Sequence, residues 1–418
     1  MKQHVSWRMS SKSLLSKARH SQKLVVSVQE IEMSDLSWQR KRSSLNPTGS
    51  PISPWLHIDL ALILSCLTLG VTGVFMVYSA TRGSDPTMYD KSFLSRHTLF
   101  VVTGTLLMLV TSSIPYRRLR DLAPIVFWGS NLLLLLVLTP LGVERNGTRA
   151  WFEFGQFQLQ PSEFCKVAFI FALASYLERF DGYLSEKAIL NSLFLASVPL
   201  GLILLETDVG SALVFVAITM GMLLVGGAQT RHIAFMTLVG VAGIAIIWST
   251  GLLQDYQRDR LTSFIDPASS QTEAAYQQTQ AQIAIGSGGL RGQGYGEGQQ
   301  TRGEFVPEQH TDFLFSVVGE ELGFIGAVVI LGLFGVVIWR CWRTAKKSAD
   351  LLGTLICVGV LTMIVFQMFQ SVGMTLGIMP ITGIPLPFVS YGGSSSLTSF
   401  VAVGLVLNVH MRRYEAVR

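Results

Sequence analysis

Long uncharged runs of apolar residues, separated by short polar or basic stretches, fill the chain from residue 58 onward. They recur at about 58–79, 97–114, 122–141, 162–177, 188–205, 208–228, 231–253, 312–339, 352–378 and 393–411. At 1.5 Å rise per residue each approaches or exceeds the length needed to cross about 30 Å of hydrocarbon. The pattern predicts an all-α multi-pass integral membrane protein with about ten transmembrane helices over 58–411. The longest interruption, residues 254–311, reads as a large loop between the seventh and eighth helices. Residues 1–57 read as a flexible tail and 412–418 as a short C-terminal one.

Composition sharpens this picture. Only 14% of the 418 residues are charged, against about 25% in ordinary globular proteins, and the mean hydropathy is +0.44. A soluble enzyme is excluded. The net charge is +5, yet residues 1–57 alone carry nine Lys or Arg against three acidic residues. A basic segment beside a first span reads as a cytoplasmic anchor near anionic lipid, not as a nucleic-acid binder, because no folded basic face accompanies it. Residues 1–50 lack the short apolar core and small-residue cleavage site of a signal peptide. Cys66, Cys165, Cys341 and Cys357 lie in or beside apolar runs without CxxC spacing, which suggests packing and neither zinc nor disulfides.

Short segments rich in arginine and lysine (Arg117, Arg118 and Arg120; Arg179 and Lys187; Arg340, Arg343, Lys346 and Lys347) alternate with longer, less basic ones. The positive-inside rule then places both termini in the cytoplasm. Residues 146–161, 206–208, 254–311 and 380–394 fall together on the outer side. Any active face looks outward from the cytoplasmic membrane.

Each polar stretch on that side has a plain reading and a chemical one. The glycine-rich run from Gln282 to Gln299 lacks GxGxxG and GxxxxGK[ST] spacing, so a nucleotide site is not supported; a flexible loop and a substrate-contacting loop both remain. Asn146-Gly147-Thr148 is a three-residue glycosylation sequon. The aromatic cluster Trp151, Phe152, Phe154 and Phe157 suits an amphipathic piece in the outer interface. Glu163 and Lys166, three apart on one helix face, form either a structural ion pair or the wall of a wet cavity, since a lone charge at mid-membrane costs about 2.5–3.5 kcal/mol. Asp208 is placed to cap the sixth helix. His310 and Asp312 stand where the long loop meets the eighth helix, and a carboxylate there suits either a cap or a general base with a raised pKa. Glu320 and Glu321, two turns deeper, read as polar packing residues. Pro380 to Ser396 begins with proline-stiffened extended backbone and ends at Gly392–Ser394, whose free N–H groups could face an anion.

Four separated motifs, TRAWFEFGQFQLQPSEFCK, ETDVGSA, IAIGSGGLRGQG through FVPEQHTDFLFSVVGEELG, and PLPFVSYGGSSS, resemble the SEDS family of bacterial cell-wall polymerases over about residues 56–413. The run Gln280–Gly294 with Phe305–Phe313 looks more like the elongation (RodA) branch than the division (FtsW) branch. The sequence departs from the family in its long basic tail and in Ala275-Tyr276, where Gly-Tyr is expected.

The resemblance implies a peptidoglycan glycosyltransferase that joins lipid II units outside the cytoplasmic membrane. Asp312 matches the catalytic aspartate. It would deprotonate the acceptor 4-hydroxyl, which attacks the donor MurNAc anomeric carbon with inversion and releases undecaprenyl pyrophosphate. Arg149 and Lys166 are the candidate cations for the pyrophosphate, with a divalent ion such as Mg2+ as a further candidate whose ligands are unassigned. Trp151, Glu163, Asp208, His310, Ser390, Gly392, Gly393 and Ser394 complete the expected substrate-binding set. The implied partners are lipid II, a class B penicillin-binding protein and other elongation-complex proteins. Such a partner is expected to switch the enzyme on by ordering the flexible glycine-rich loop. A lipid II flippase is the competing reading; the absence of matched broken helices in two halves speaks against it.

Overall fold

In the computed structural model the described residues are 54–414 except 84–90, 146, 156, 251–259, 261–263 and 265–271. The basic tail up to residue 53, Asn146 of the sequon, most of the 254–271 stretch and residues 415–418 lie outside them. A 3-10 turn over Pro54–His57 leads into α1 (Leu60–Thr81), followed by α2 (Ser92–Ser113). A short helix Tyr116–Leu119 and a 3-10 turn Arg120–Leu122 run into α3 (Ala123–Val137). Then come β1 (Val143–Arg145), β2 (Thr148–Phe154), β3 (Phe157–Leu159), α4 (Pro161–Leu177), α5 (Glu186–Leu205), α6 (Val209–Val225) and α7 (Thr230–Thr250). The last helices are α8 (Glu273–Gly288), α9 (Leu314–Glu321), α10 (Gly323–Lys346), α11 (Leu351–Leu376) and α12 (Gly393–Met411).

Among the described residues seven helices are long and apolar enough to cross a membrane: α1, α2, Tyr116–Val137, α5, α10, α11 and α12. The expected fourth, sixth and seventh spans correspond to α4, α6 and α7. Three local expectations change. The aromatic stretch is an antiparallel three-stranded sheet in the order β1-β2-β3, with Phe152 opposite Leu159 and Phe154 opposite Phe157. Residues 273–302 hold α8 and a short helix Gln299–Arg302. The eighth run breaks into α9 and α10 at Gly323, whose φ of +66° interrupts the helix.

α12 is the hub. It is buried along nearly its whole length and packs chiefly on α2, with α11, α4 and α10 around it. In lipid, helices gain from close packing rather than from hydrophobic transfer, so small residues mark tight crossings. A Cβ on Gly104 would lie 2.5 Å from the Phe400 ring, and one on Gly404 would lie 2.7 Å from the Met108 carbonyl oxygen.

Polar clasps fix one end of the bundle. Asp59 caps α1 by accepting from the Leu62 N–H at 3.1 Å, and its other oxygen accepts from Arg340 Nε of α10 at 2.7 Å. Arg412 donates to the Ser112 and Ser113 carbonyls at 2.9 and 2.7 Å, tying α12 to the end of α2. Such ties satisfy groups that have no water to turn to. Gly404→Ala is expected to destabilise the purified protein by about 1–3 kcal/mol, because backbone and not a flexible side chain blocks the added methyl. A lower thermal midpoint in detergent would show it.

Candidate active site

The site is organised by the segment between α11 and α12. Gly377, at φ +75°, ends α11, and the chain stays non-helical until Gly393. Its polar groups are met inside the protein. Gln370 donates to the Pro380 carbonyl at 2.9 Å, the Leu386 N–H donates to Ser390 Oγ at 3.0 Å, and the Tyr391 N–H donates to the His310 carbonyl at 3.0 Å. One side of the segment lies against the start of α6, where a Cβ on Gly210 would stand 2.6 Å from the Thr382 oxygen. Gly383 faces the other way, and a Cβ there would come 3.3 Å from Asp312 Oδ2.

Asp312 sits on a turn that is held on both sides. The Thr311 and Asp312 N–H groups both donate to the Glu308 carbonyl, at 3.1 and 3.2 Å. Buried Gln309 donates to the Ala80 and Thr301 carbonyls at 2.8 and 3.0 Å, and buried Phe313 plugs a small core with Ala281, Val306 and Ile381. The N-cap position of α9 belongs to Phe313, with no side-chain capping bond. The Asp312 carboxyl is therefore not used as a cap and remains partly accessible to solvent. Burial pushes its pKa up to about 7, Glu308 and Asp208 add to the rise, and Arg260 opposes it.

Asp208 does cap its helix, accepting from the Ser211 N–H at 2.9 Å. Its second oxygen accepts from Gln160 Nε2 at 3.3 Å, and the Gln160 N–H donates to Ser394 Oγ at 2.9 Å. The starts of α4, α6 and α12 thus meet in one chain of hydrogen bonds. Arg260 lies within electrostatic reach of both carboxylates: burial lowers its pKa, and Asp312 and Asp208 counter that by favouring its charged form. Glu206 is 1% exposed, and neither carboxyl oxygen has a partner among the described residues. Burial, with Asp208 adding, pushes it up to about 9, so it is neutral at pH 7 and spares Asp208 a second adjacent charge.

The glycine-rich run, which reads as a flexible or a substrate-contacting loop, is packed against α9. Glu320 accepts from the Gln300 and Thr301 N–H groups at 2.7 and 3.0 Å and from Thr301 Oγ1 at 2.7 Å, while Glu321 accepts from Ser79 at 2.6 Å. The Gln293 and Gly294 N–H groups donate to the carbonyls of the same two glutamates at 2.9 and 3.1 Å. Gly292, at φ +80°, would drive a Cβ into the Glu321 backbone. The glycines serve close approach to α9, and Glu320 and Glu321 hold the loop that carries Asp312.

The remaining predicted residues divide. His310 stacks edge-on with Phe93 at 5.1 Å and lies beside Tyr391 at 5.7 Å. Burial lowers its pKa and Glu308 opposes this. Lys166 and Glu163 form a closed, buried ion pair at 2.6 Å. Arg149 is on β2, paired with Glu144 at 3.4 Å and 41% exposed, with Trp151 two residues on. Ser390 accepts within its own turn, and Gly392 is the N-cap of α12, with Gly393 opening the helix against the Phe100 ring. Arg260, Gln160 and Gly383 were not singled out by sequence. Gln160 and Gly383 lie inside the motifs, whereas nothing local distinguishes Arg260 from other outer-loop arginines. Among the described residues no group of three or more His, Cys, Asp or Glu side chains converges as metal ligands would.

Residues 59–415 match the family model of FtsW, RodA and SpoVE, described as cell cycle protein. Stage V sporulation protein E of Bacillus subtilis is 37% identical over 363 residues, 84% of this chain and 96% of that protein. A probable peptidoglycan glycosyltransferase FtsW of Geobacter metallireducens is 36% identical, over 85% of this chain and 95% of its own length. Peptidoglycan glycosyltransferase MrdB of Escherichia coli K12 is 32% identical, over 88% and 97%. A solved structure on the coordination of polymerization and crosslinking by a peptidoglycan synthase complex superimposes with a TM-score of 0.73 at 32% identity, covering 86% of this chain and all of that one.

The raised pKa of Asp312 fixes a stability test. Ionising this carboxyl is harder in the folded chain than in the unfolded one, so its contribution is most favourable below its ordinary value of 3.8 and is lost as pH rises towards about 7. Asp312→Asn should therefore melt at a higher temperature than wild type at about pH 8 and at a similar temperature at about pH 4.

Proposed function

Because the chain belongs to the FtsW/RodA/SpoVE family of cell cycle proteins, we propose that it is a peptidoglycan glycosyltransferase that polymerises lipid II on the outer side of the cytoplasmic membrane. One observation carries the reading: a solvent-reachable carboxyl, Asp312, is held rigidly, left uncapped and given a pKa of about 7. A general base works best when its pKa lies near the operating pH. Asp312 takes the proton of the acceptor 4-hydroxyl as that oxygen attacks the MurNAc anomeric carbon; the bond to undecaprenyl pyrophosphate breaks with inversion. Arg260 keeps enough of Asp312 ionised for it to act as a base. Asp208, Gln160 and Ser394 position the sugar-facing wall, with Gly392, Gly393, Ser390 and His310 beside it. Arg149 and Trp151 line the approach on the sheet; Lys166, expected as a pyrophosphate cation, is instead closed in its buried pair with Glu163 and serves the packing of α4. Both termini are cytoplasmic in this reading, which puts the Asp312 end outside.

A crosslinking transpeptidase of the penicillin-binding class B type is the proposed partner. The similar structure's subject, a complex that coordinates polymerization with crosslinking, supports it. So do exposed apolar residues on and just past α8: Tyr276 and Ile283 stand one heptad apart on the helix, and Leu290 follows its end at Gly289, each 45–63% exposed. Since the loop is already packed, docking acts by another route than ordering a floppy segment. The motif run Gln280–Gly294 supports an elongation role; the higher identity to sporulation and FtsW relatives favours the septal alternative.

In detergent, where flipping yields no product, wild type with its partner should convert lipid II into glycan chains. Asp312→Asn should lose roughly 10²–10⁴ in rate while staying folded. Retention of more than about a tenth of the activity would remove Asp312 as the base, and no polymer from wild type would favour the flippase.

A further inference from the structure

The end of the bundle opposite Asp312 carries a recess of about 560 Å³ where α3, α4 and α5 meet, at the far end of α4 from the Glu163–Lys166 pair. Phe127, Trp128 and Leu195 supply its apolar lining, with Phe127 fully buried. Trp128 is 57% exposed and packs edge-on against buried Phe127 at 5.3 Å, so one wall opens towards the lipid. The rim is charged, and it carries both signs: Arg120 and Arg179, Asp121 and Glu178. Arg120 is divided between two loose pairs, 3.7 Å to Asp121 and 3.4 Å to Glu178. Asp121 is 80% exposed, and Arg179 is exposed with no side-chain partner among the described residues.

We propose that this recess binds a zwitterionic aminophospholipid, phosphatidylethanolamine, with its phosphate at Arg179 and Arg120, its ammonium at Asp121, and an acyl chain between Trp128 and Leu195. The rim's four charges cancel. A purely anionic headgroup would satisfy the arginines but face two carboxylates; a zwitterion pairs with both signs at once. Trp128 and Tyr176 are residue types that favour the membrane interface, which places a headgroup at this level. Nothing here depends on the polymerase reading, because no residue of the Asp312 site is involved.

The test is native mass spectrometry of the full chain in detergent with equal amounts of phosphatidylethanolamine and phosphatidylglycerol. Wild type should retain the first over the second by about two- to fivefold, the effect of one exposed ion pair. Arg179→Ala and Asp121→Asn should each bring the ratio close to one with an unchanged thermal midpoint. A large excess of glycerophosphoethanolamine, which has the headgroup but no chains, should not displace the lipid. Equal retention of both lipids by wild type, preference for phosphatidylglycerol, unchanged ratios in both variants, or displacement by the chain-free headgroup would each overturn the proposal. The wild-type preference stands as a result even where a variant fails to fold.

Discussion

Sixteen residues without helix, from Gly377 to Gly392, run between two long apolar helices, and everything at the site depends on how their backbone is satisfied. A non-helical segment at membrane depth is tolerated only when protein or a wet cavity meets its N–H and C=O groups. Here Gln370, Ser390 and the His310 carbonyl meet three of them. Those bonds hold the segment where Thr382 meets the first turn of α6 and Gly383 meets Asp312. Glycine at 210 and 383 lets backbone and carboxyl approach where any side chain would intervene.

The electrostatics follow from that spacing. Asp312, Asp208, Glu308 and the Arg260 guanidinium lie within electrostatic reach of one another, and each unit of pKa shift is worth about 1.4 kcal/mol. Burial, Glu308 and Asp208 push Asp312 towards neutrality, while Arg260 holds it back. Burial, with Asp208 adding, pushes Glu206 up to about 9, a direction that disfavours a further negative charge beside Asp208. A carboxyl left at its ordinary value would be fully ionised but a weak base; one buried without Arg260 would hold its proton too tightly.

Helices and their order were legible from apolar runs because the bilayer imposes a minimum length on each one. Asp312, Asp208 and the Pro380–Ser396 stretch were legible because polar or helix-breaking residues in an apolar context demand a reason. Arg260 was not, since its importance comes from distance to two carboxylates far away in sequence. The packing of the glycine-rich run was not legible: glycine content reports permissiveness, and only the facing carbonyls and carboxylates of Glu320 and Glu321 reveal its close approach to α9. The aromatic stretch suggests an amphipathic interfacial piece and is instead a small sheet, because its strands depend on turns at Gly147 and Gly155 that short motifs do not announce.

The pH dependence of lipid II polymerisation addresses the central claim most directly, because only a tuned base at Asp312 links the recess to turnover. Over about pH 5 to 9, kcat/KM should rise along a single acid limb with a midpoint near 7. The limb should move down in Glu308→Gln and up in Arg260→Gln, the directions set by the charge each removes. A rate that is flat across that range, or a limb indifferent to both substitutions, would contradict the account.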